Sequence, residues 1–217
     1  MSLYTFSTSE PLPARMPVQG LHIEECTDLT LLAIMGQVTK EEVVRRLAAD
    51  NLAFTAFVRG QPAAFGWMAR SKANIGELAH DFVLPIRNRY LWNFRTMPAF
   101  RGRGIYPLLL QFIITFERPR AERFWIIHAP ENKASLKGII KAGFSYTGKL
   151  YPTSDGRAGF EPSGVSKQER KLITAMGFHA SDAASASCWN CSSPYLKTKQ
   201  AVCCCTSAGT ACTLPQA

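Results

Sequence analysis

Residues Asn93 to Phe112, NFRTMPAFRGRGIYPLLLQF, constrain this chain more than any other stretch. The apolar run from Tyr90 to Met97 predicts a strand, and Pro98 breaks it. Arg101-Gly102-Arg103-Gly104-Ile105 follows. Pro107 with Leu108, Leu109, Leu110, Phe112 and Ile113 then predicts a helix. Strand, glycine-rich turn and helix together make an anion site. Glycines let the backbone approach a ligand, and the first N–H groups of a helix have no partner within it. Arg101 and Arg103 add full charges to the positive end of the helix dipole, which suits a phosphate or pyrophosphate.

Charge elsewhere narrows the reading. The net charge is +9, and between residues 85 and 125 eight arginines face only Glu117 and Glu122. Such a block serves nucleic acid or one small polyanion. No zinc-finger spacing or RNA-binding sheet motif supports the first, so nucleic acid is a distant alternative. Arg118, Arg120 and Arg123 read as a solvated face, and Arg101 and Arg103 as ligand contacts. With 217 residues, 47% of them hydrophobic, the chain can bury one domain with appendages. No apolar run is long enough to span a bilayer, since the stretch 108–114 is short and interrupted by Gln111. The start of the chain lacks the basic segment and apolar block of a secretory signal, so a cytoplasmic protein is expected.

Residues 1–20, with Pro11, Pro13 and Pro17, read as a loose lead-in. Leu21 to Cys26 alternates like a strand. Thr27 and Asp28 cap a helix over Leu29 to Met35 that Gly36 ends, and Thr39 with Glu42 forms a capping box for a second helix. Leu52 to Val58 and Ala63 to Ala69 form a hairpin around Arg59-Gly60. Residues 71–87 fit no pattern but carry Glu77, His80 and Asp81. Phe124 to His128 reads as a buried strand, Asn132 to Ala142 as a helix stopped by Gly143, and Phe144 to Leu150 as a last strand. Trp67, Trp92 and Trp125 are expected in the core. The sum, β-α-α-β-β-β-α-β-α-β, is an α/β domain with a mixed sheet over residues 21–160.

Residues 161–217 read as a linker, with a short helical patch from Lys167 to Met176 before Gly177, and a disordered, low-complexity Ser/Thr/Ala/Cys-rich tail. Six of the seven cysteines lie between Cys188 and Cys212. Reducing surroundings favour metal over disulfide for such a cluster, yet Cys203, Cys204 and Cys205 cannot all face one zinc ion, and no metal is expected. A tail without a selected role ranks first. The core of a ribosomally made, modified peptide at residues 181–217, carried by the preceding domain, ranks second.

The element order, Arg101-Gly102-Arg103-Gly104-Ile105, and the later Asn132-Lys133-Ala134-Ser135 and Lys141-Ala142-Gly143-Phe144 resemble the GNAT superfamily of acyl-CoA N-acyltransferases. The resemblance covers about residues 21–151. It implies a GNAT-like mixed central sheet flanked by helices, in which Tyr90–Met97 and Phe124–His128 splay apart to admit the pantetheine of acetyl-CoA. The pyrophosphate would rest on Arg101, Gly102, Arg103, Gly104, Ile105 and Tyr106. Backbone groups of Thr96 and Met97 would pair with the pantetheine amides, and Asn132 and Ser135 would lie at the cofactor. The activity implied is N-acetylation of an amine whose identity the sequence does not give. The partners would be that amine and acetyl-CoA, without a membrane, and a homodimer is compatible.

Moving an acyl group from a thioester to an amine needs a neutral amine, a polarised carbonyl and a proton for the departing thiolate. His128, at the end of a strand flanking the slot, is the best-placed base, followed by Glu77, with His80 and Asp81 nearby in sequence. Two positions depart from the family. Tyr106 stands where the phosphate loop usually ends in a small residue, so its ring must swing away, and Pro107 has no N–H to offer. Ile139 stands where the family often has a tyrosine that protonates the thiolate. The proton then falls to Tyr146, Tyr151 or a water. The catalytic set read from the sequence is therefore His128, Glu77 and Tyr146. The alternative is a catalytically weak carrier or leader domain.

Overall fold

Arg59 and Gly60, both at positive φ (50° and 78°), turn the chain tightly enough to fold β3 (Asn51–Val58) onto β4 (Gln61–Ala69). β2 (Leu21–Glu25) extends this antiparallel unit on the far side of β3. In a computed structural model that describes residues 1–129, 132–153 and 157–180, this unit is one end of a sheet with nine strands among the described residues. β4 pairs antiparallel with β7 (Asn88–Thr96), and β7 pairs in parallel with β8 (Arg123–His128). A parallel step needs a crossover, which α3 (Ile105–Glu117) supplies.

The helices follow their caps. Asp28 accepts from the N–H groups of Thr30 and Leu31 to start α1 (Leu29–Gly36), and Asn132 accepts from Ser135 N to start α4 (Lys133–Ala142). Thr39 caps α2 (Lys40–Ala48) as expected, but only half of the predicted box forms. The Glu42 carboxylate turns instead to Arg45 and Arg46, where two cations outcompete one backbone N–H. Residues 71–87, without a sequence pattern, contain a small separate hairpin of β5 (Lys72–Ile75) and β6 (His80–Val83) around a 3-10 turn at Gly76–Leu78.

Two expectations need correcting. Residues 2–7 are no lead-in: they form β1 (Ser2–Ser7), held antiparallel between β8 and β9 (Ser145–Pro152). Leu3 and Phe6 are each 1% exposed, because an interior strand is covered on both faces. The prolines that suggested a loose segment all come after it. Residues 161–180 are likewise no linker. β10 (Ala158–Pro162) pairs with β9, α5 (Lys167–Ala175) starts in a complete Ser166/Glu169 capping box, and β11 (His179–Ala180) pairs with β10. Phe160, Ile173, Met176 and Phe178 bury a second core with Leu3 and Trp125. Residues 181–217, with the proposed modified-peptide core and the cysteine cluster, lie outside the described residues.

The arginine block is largely absorbed by this framework. Glu117, fully buried at the end of α3, is bonded by Arg70, Arg89 and Arg120. Arg123 is not on a solvated face: it is bonded to Glu169 at 2.8 Å and lies largely covered beside Trp125. Arg87 pairs with Glu122. Trp67 and Trp125 sit in the core as expected, whereas Trp92 is only half-buried.

Candidate active site

β7 and β8 pair from Asn88/Arg123 to Leu91/Ile126 and then part, although both strands continue. A bulge explains the parting. Opposite Gly66 on β4, β7 carries two residues, Asn93 and Phe94, and Asn93 adopts φ 51°. Asn tolerates that left-handed conformation better than most residues, and an extra residue bends its strand. The ring of Phe94 lies directly over Gly66, where a Cβ would come within 2.0 Å of it. Thus β7 leaves β8 one or two residues after their last pair.

The gap is a cavity of about 540 Å³. Its walls include Trp92, Asn93 and Phe94 from β7, and Ile126, Ile127 and His128 from β8 and its neighbourhood. Tyr106, Asn132 and Ser135 close it from the two helices, and Glu77 borders it from the 3-10 turn. Met97 N–H donates to Ala63 O at 2.8 Å and Met97 O accepts from Phe100 N at 2.9 Å, so both of its backbone groups, expected to meet the pantetheine, have partners within the chain. Alternation along the strand turns the backbone groups of Thr96 the other way, toward the open side.

At the entrance to α3 the glycine-rich turn leads straight into the helix. Gly104 precedes the helix without a side-chain cap, and the first turn has no acidic residue. Gly102 and Gly104 both adopt φ 75°, with nothing within 4 Å of where a Cβ would stand. Open space and N–H groups lacking side-chain partners are what a bound pyrophosphate requires. Arg101 and Arg103 are exposed beside this turn, Arg101 bonded to Thr96 O and Arg103 lying over Phe100.

Inside the slot, His128 is buried and its Nε2 lies 2.8 Å from Asn132 O. A carbonyl only accepts, so Nε2 carries the proton and a neutral ring keeps its lone pair on Nδ1. Asn132 Oδ1 is occupied by capping α4, which fixes this residue at the mouth of the slot. The ring of Tyr106 does swing away from the cradle. It passes between α3 and α4, against Phe94, and its hydroxyl reaches Ser135 Oγ at 3.5 Å. Gly138 makes the room, since a Cβ there would stand 2.2 Å from the ring. Burial pushes the Tyr106 phenol well above its ordinary pKa, against a smaller downward pull from Ser135.

A wedge opened by a bulge between parallel strands, with a glycine-rich turn at the following helix, is the arrangement the resemblance implied. The fold is a mixed central sheet flanked by helices. No protein-family model and no curated protein matches the sequence. Solved structures do resemble it. An acetyltransferase of the GNAT family from Colwellia psychrerythraea aligns at 16% identity and TM-score 0.46, over 67% of this chain and 52% of its own. The ribosomal-protein-S18-alanine N-acetyltransferase of Escherichia coli aligns at 20% identity and TM-score 0.45, over 64% of this chain and 88% of its own. A Clostridium acetobutylicum acetyltransferase solved with acetyl-CoA aligns at 17% identity and TM-score 0.42, over 58% and 90%. This chain spans about half the length of the Colwellia protein. With TM-scores of 0.42 to 0.46 these likenesses carry neither fold nor chemistry, which have to rest on the chain itself.

The slot brings together His128, Glu77, Tyr106, Asn132 and Ser135. It does not include Tyr146, which is 40% exposed on β9 and packs against Tyr4. Burial, then Tyr4 and Glu161, raise the pKa of the Tyr146 hydroxyl. Tyr151 is buried on β9, also outside the lining. Ile139 is fully buried in the core. His80 donates to Met176 O and stacks between Phe82 and Phe178, a structural role. Asp81 accepts from Asn74 and faces a second cavity of about 790 Å³. That cavity, bordered by Arg45, Arg46, Lys72 and Glu42, shares Asn74, Tyr90 and Trp92 with the slot. No sequence pattern announces Asn74 or Trp92 as wall residues. Gly138 is different: a glycine inside a helix costs about 1 kcal/mol against alanine, and that cost was a legible sign of close packing.

Proposed function

We propose that this chain is an acyl-CoA-dependent N-acyltransferase, with acetyl-CoA as donor and an amine as acceptor. The observation that carries this reading is the wedge between β7 and β8, opened by the bulge at Asn93 and reaching the first turn of α3 at Tyr106. An extended pantetheine arm fits such a wedge as a surrogate strand, and the uncapped end of α3 supplies the anion site. In this arrangement Gly102, Arg103, Gly104, Ile105 and Tyr106 offer backbone N–H groups, and Arg101 and Arg103 supply charge. Thr96 presents its backbone groups, and Asn132 and Ser135 stand at the thioester end. His128 Nδ1 would accept the amine proton, and the carboxylate of Glu77 at the rim is the second base. The second cavity adjoins the slot at Trp92 and offers the acceptor an approach.

The test is release of free coenzyme A thiol from acetyl-CoA with a panel of amines spanning polyamines, aminoglycosides and peptide N-termini. Amine-dependent release with at least one class is expected. Release with none of them, together with no binding of acetyl-CoA, would overturn the reading.

A further inference from the structure

Of the groups lining the slot, only some can give a proton to a leaving sulfur. The Nε2–H of His128 is engaged by Asn132 O, and that ring serves better as an acceptor through Nδ1. Glu77 sits at the exposed rim, open to solvent rather than enclosed with the leaving sulfur. Ile139 has no proton to give. Tyr146 and Tyr151 lie outside the lining, and Tyr90, the other phenol of the wall, packs edge-on against Phe82 in the second core. Tyr106 is a phenol on the slot wall whose one hydrogen-bonding contact among the described residues, Ser135 Oγ at 3.5 Å, is at the limit of a bond. Its place is built: Gly138 removes the methyl group that would evict the ring, and Phe94 supports the other side.

We infer that the Tyr106 hydroxyl, approached by Ser135, is the proton donor to the departing thiolate. The inference rests on the acyl-transfer reading. In the step, the amine nitrogen forms the new C–N bond and loses a proton to His128 Nδ1. The C–S bond breaks with its electron pair on sulfur, and sulfur takes the Tyr106 hydroxyl proton. Water reprotonates the phenolate by way of the Ser135 hydroxyl, and His128 returns its proton to solvent. Amine and thioester thus become amide and thiol with no net change in protons. Burial keeps the phenol protonated, so it meets the sulfur as a donor when the thiolate charge develops. A hydrogen bond from a neutral donor to an anion inside a protein is among the stronger ones, and it favours the thiolate over the thiol.

That preference can be read without any acceptor. Coenzyme A is bound to the wild-type chain and to Tyr106→Phe, and the ultraviolet absorbance of the thiolate is followed against pH. The bound thiol is expected to titrate about one pH unit lower in the wild type than in the variant, with similar coenzyme A affinity in both. Ser135→Ala, which leaves the phenol in place, is expected to shift the titration by less. With any amine the enzyme accepts, Tyr106→Phe should lower kcat about 100-fold with KM for acetyl-CoA nearly unchanged. Equal thiol titration in wild type and Tyr106→Phe would overturn the inference, as would unchanged kcat. Failure of coenzyme A and acetyl-CoA to bind the wild type would instead overturn the acyl-transfer reading beneath it.

Discussion

Glu117 is a carboxylate with no exposed surface, ringed by guanidinium groups from three parts of the chain. Burial alone would push its carboxyl up, but hydrogen bonds and charge from Arg70 and Arg89 outweigh burial and hold it below the ordinary glutamate range. A group whose folded pKa is depressed contributes stability above its unfolded pKa and loses it as pH falls toward the folded one. Glu117→Gln is therefore expected to cost about 3 kcal/mol near neutral pH, the scale of breaking a buried pair. The difference from wild type should shrink as pH drops below the ordinary glutamate range, which denaturant unfolding at several pH values would measure. Equal stability of the two proteins at neutral pH would refute this. At the same scale, the sequence makes some residues readable and others not. Arg101 and Arg103 follow from local spacing, because turn and helix start are local features. The ring of Tyr106 does not: its direction is set by Gly138 and Phe94, which are distant in sequence.

Among the elements, α3 is the most legible, since its glycine-rich approach, Pro107 and apolar face are all written within 20 residues. The bulge in β7 is less so. An Asn at positive φ opposite Gly66 becomes visible only once β4 and β7 are in register. Yet that bulge decides where the slot opens. The entrance to α3 offers a test of the cradle. Gly104→Asp would place a carboxylate where the pyrophosphate is proposed to sit, at a position with free space and in a conformation Asp tolerates. The expected result is a stability change of no more than about 1 kcal/mol, with acetyl-CoA affinity lowered at least about tenfold. Unchanged affinity in a folded variant would place the anion elsewhere.

For the whole molecule, the sheet order β11-β10-β9-β1-β8-β7-β4-β3-β2 puts the first strand of the chain near its middle. β1 joins the half that holds the slot to the half built from β9, β10 and α5. The helix after residue 160 was legible as a short patch from Lys167 to Met176, whereas β1, β10 and β11 were not. Prolines after β1 and the polar stretch before β10 hid six-residue and five-residue strands. Leu3, Tyr4 and Phe6 each contribute about 1.5–3 kcal/mol by burial, a large share of the 5–15 kcal/mol that keeps a domain folded. Removal of residues 1–7 is expected to abolish cooperative thermal unfolding, followed by circular dichroism. A variant that still melts in one sharp transition would show that β1 is dispensable.

The wedge between β7 and β8, with the turn before α3, is proposed to hold an acyl-CoA. Calorimetric titration of the full chain with acetyl-CoA tests this directly. Saturable binding of one molecule per chain is expected, competed by coenzyme A and weakened in Gly104→Asp. No detectable binding by the folded wild-type protein would contradict it.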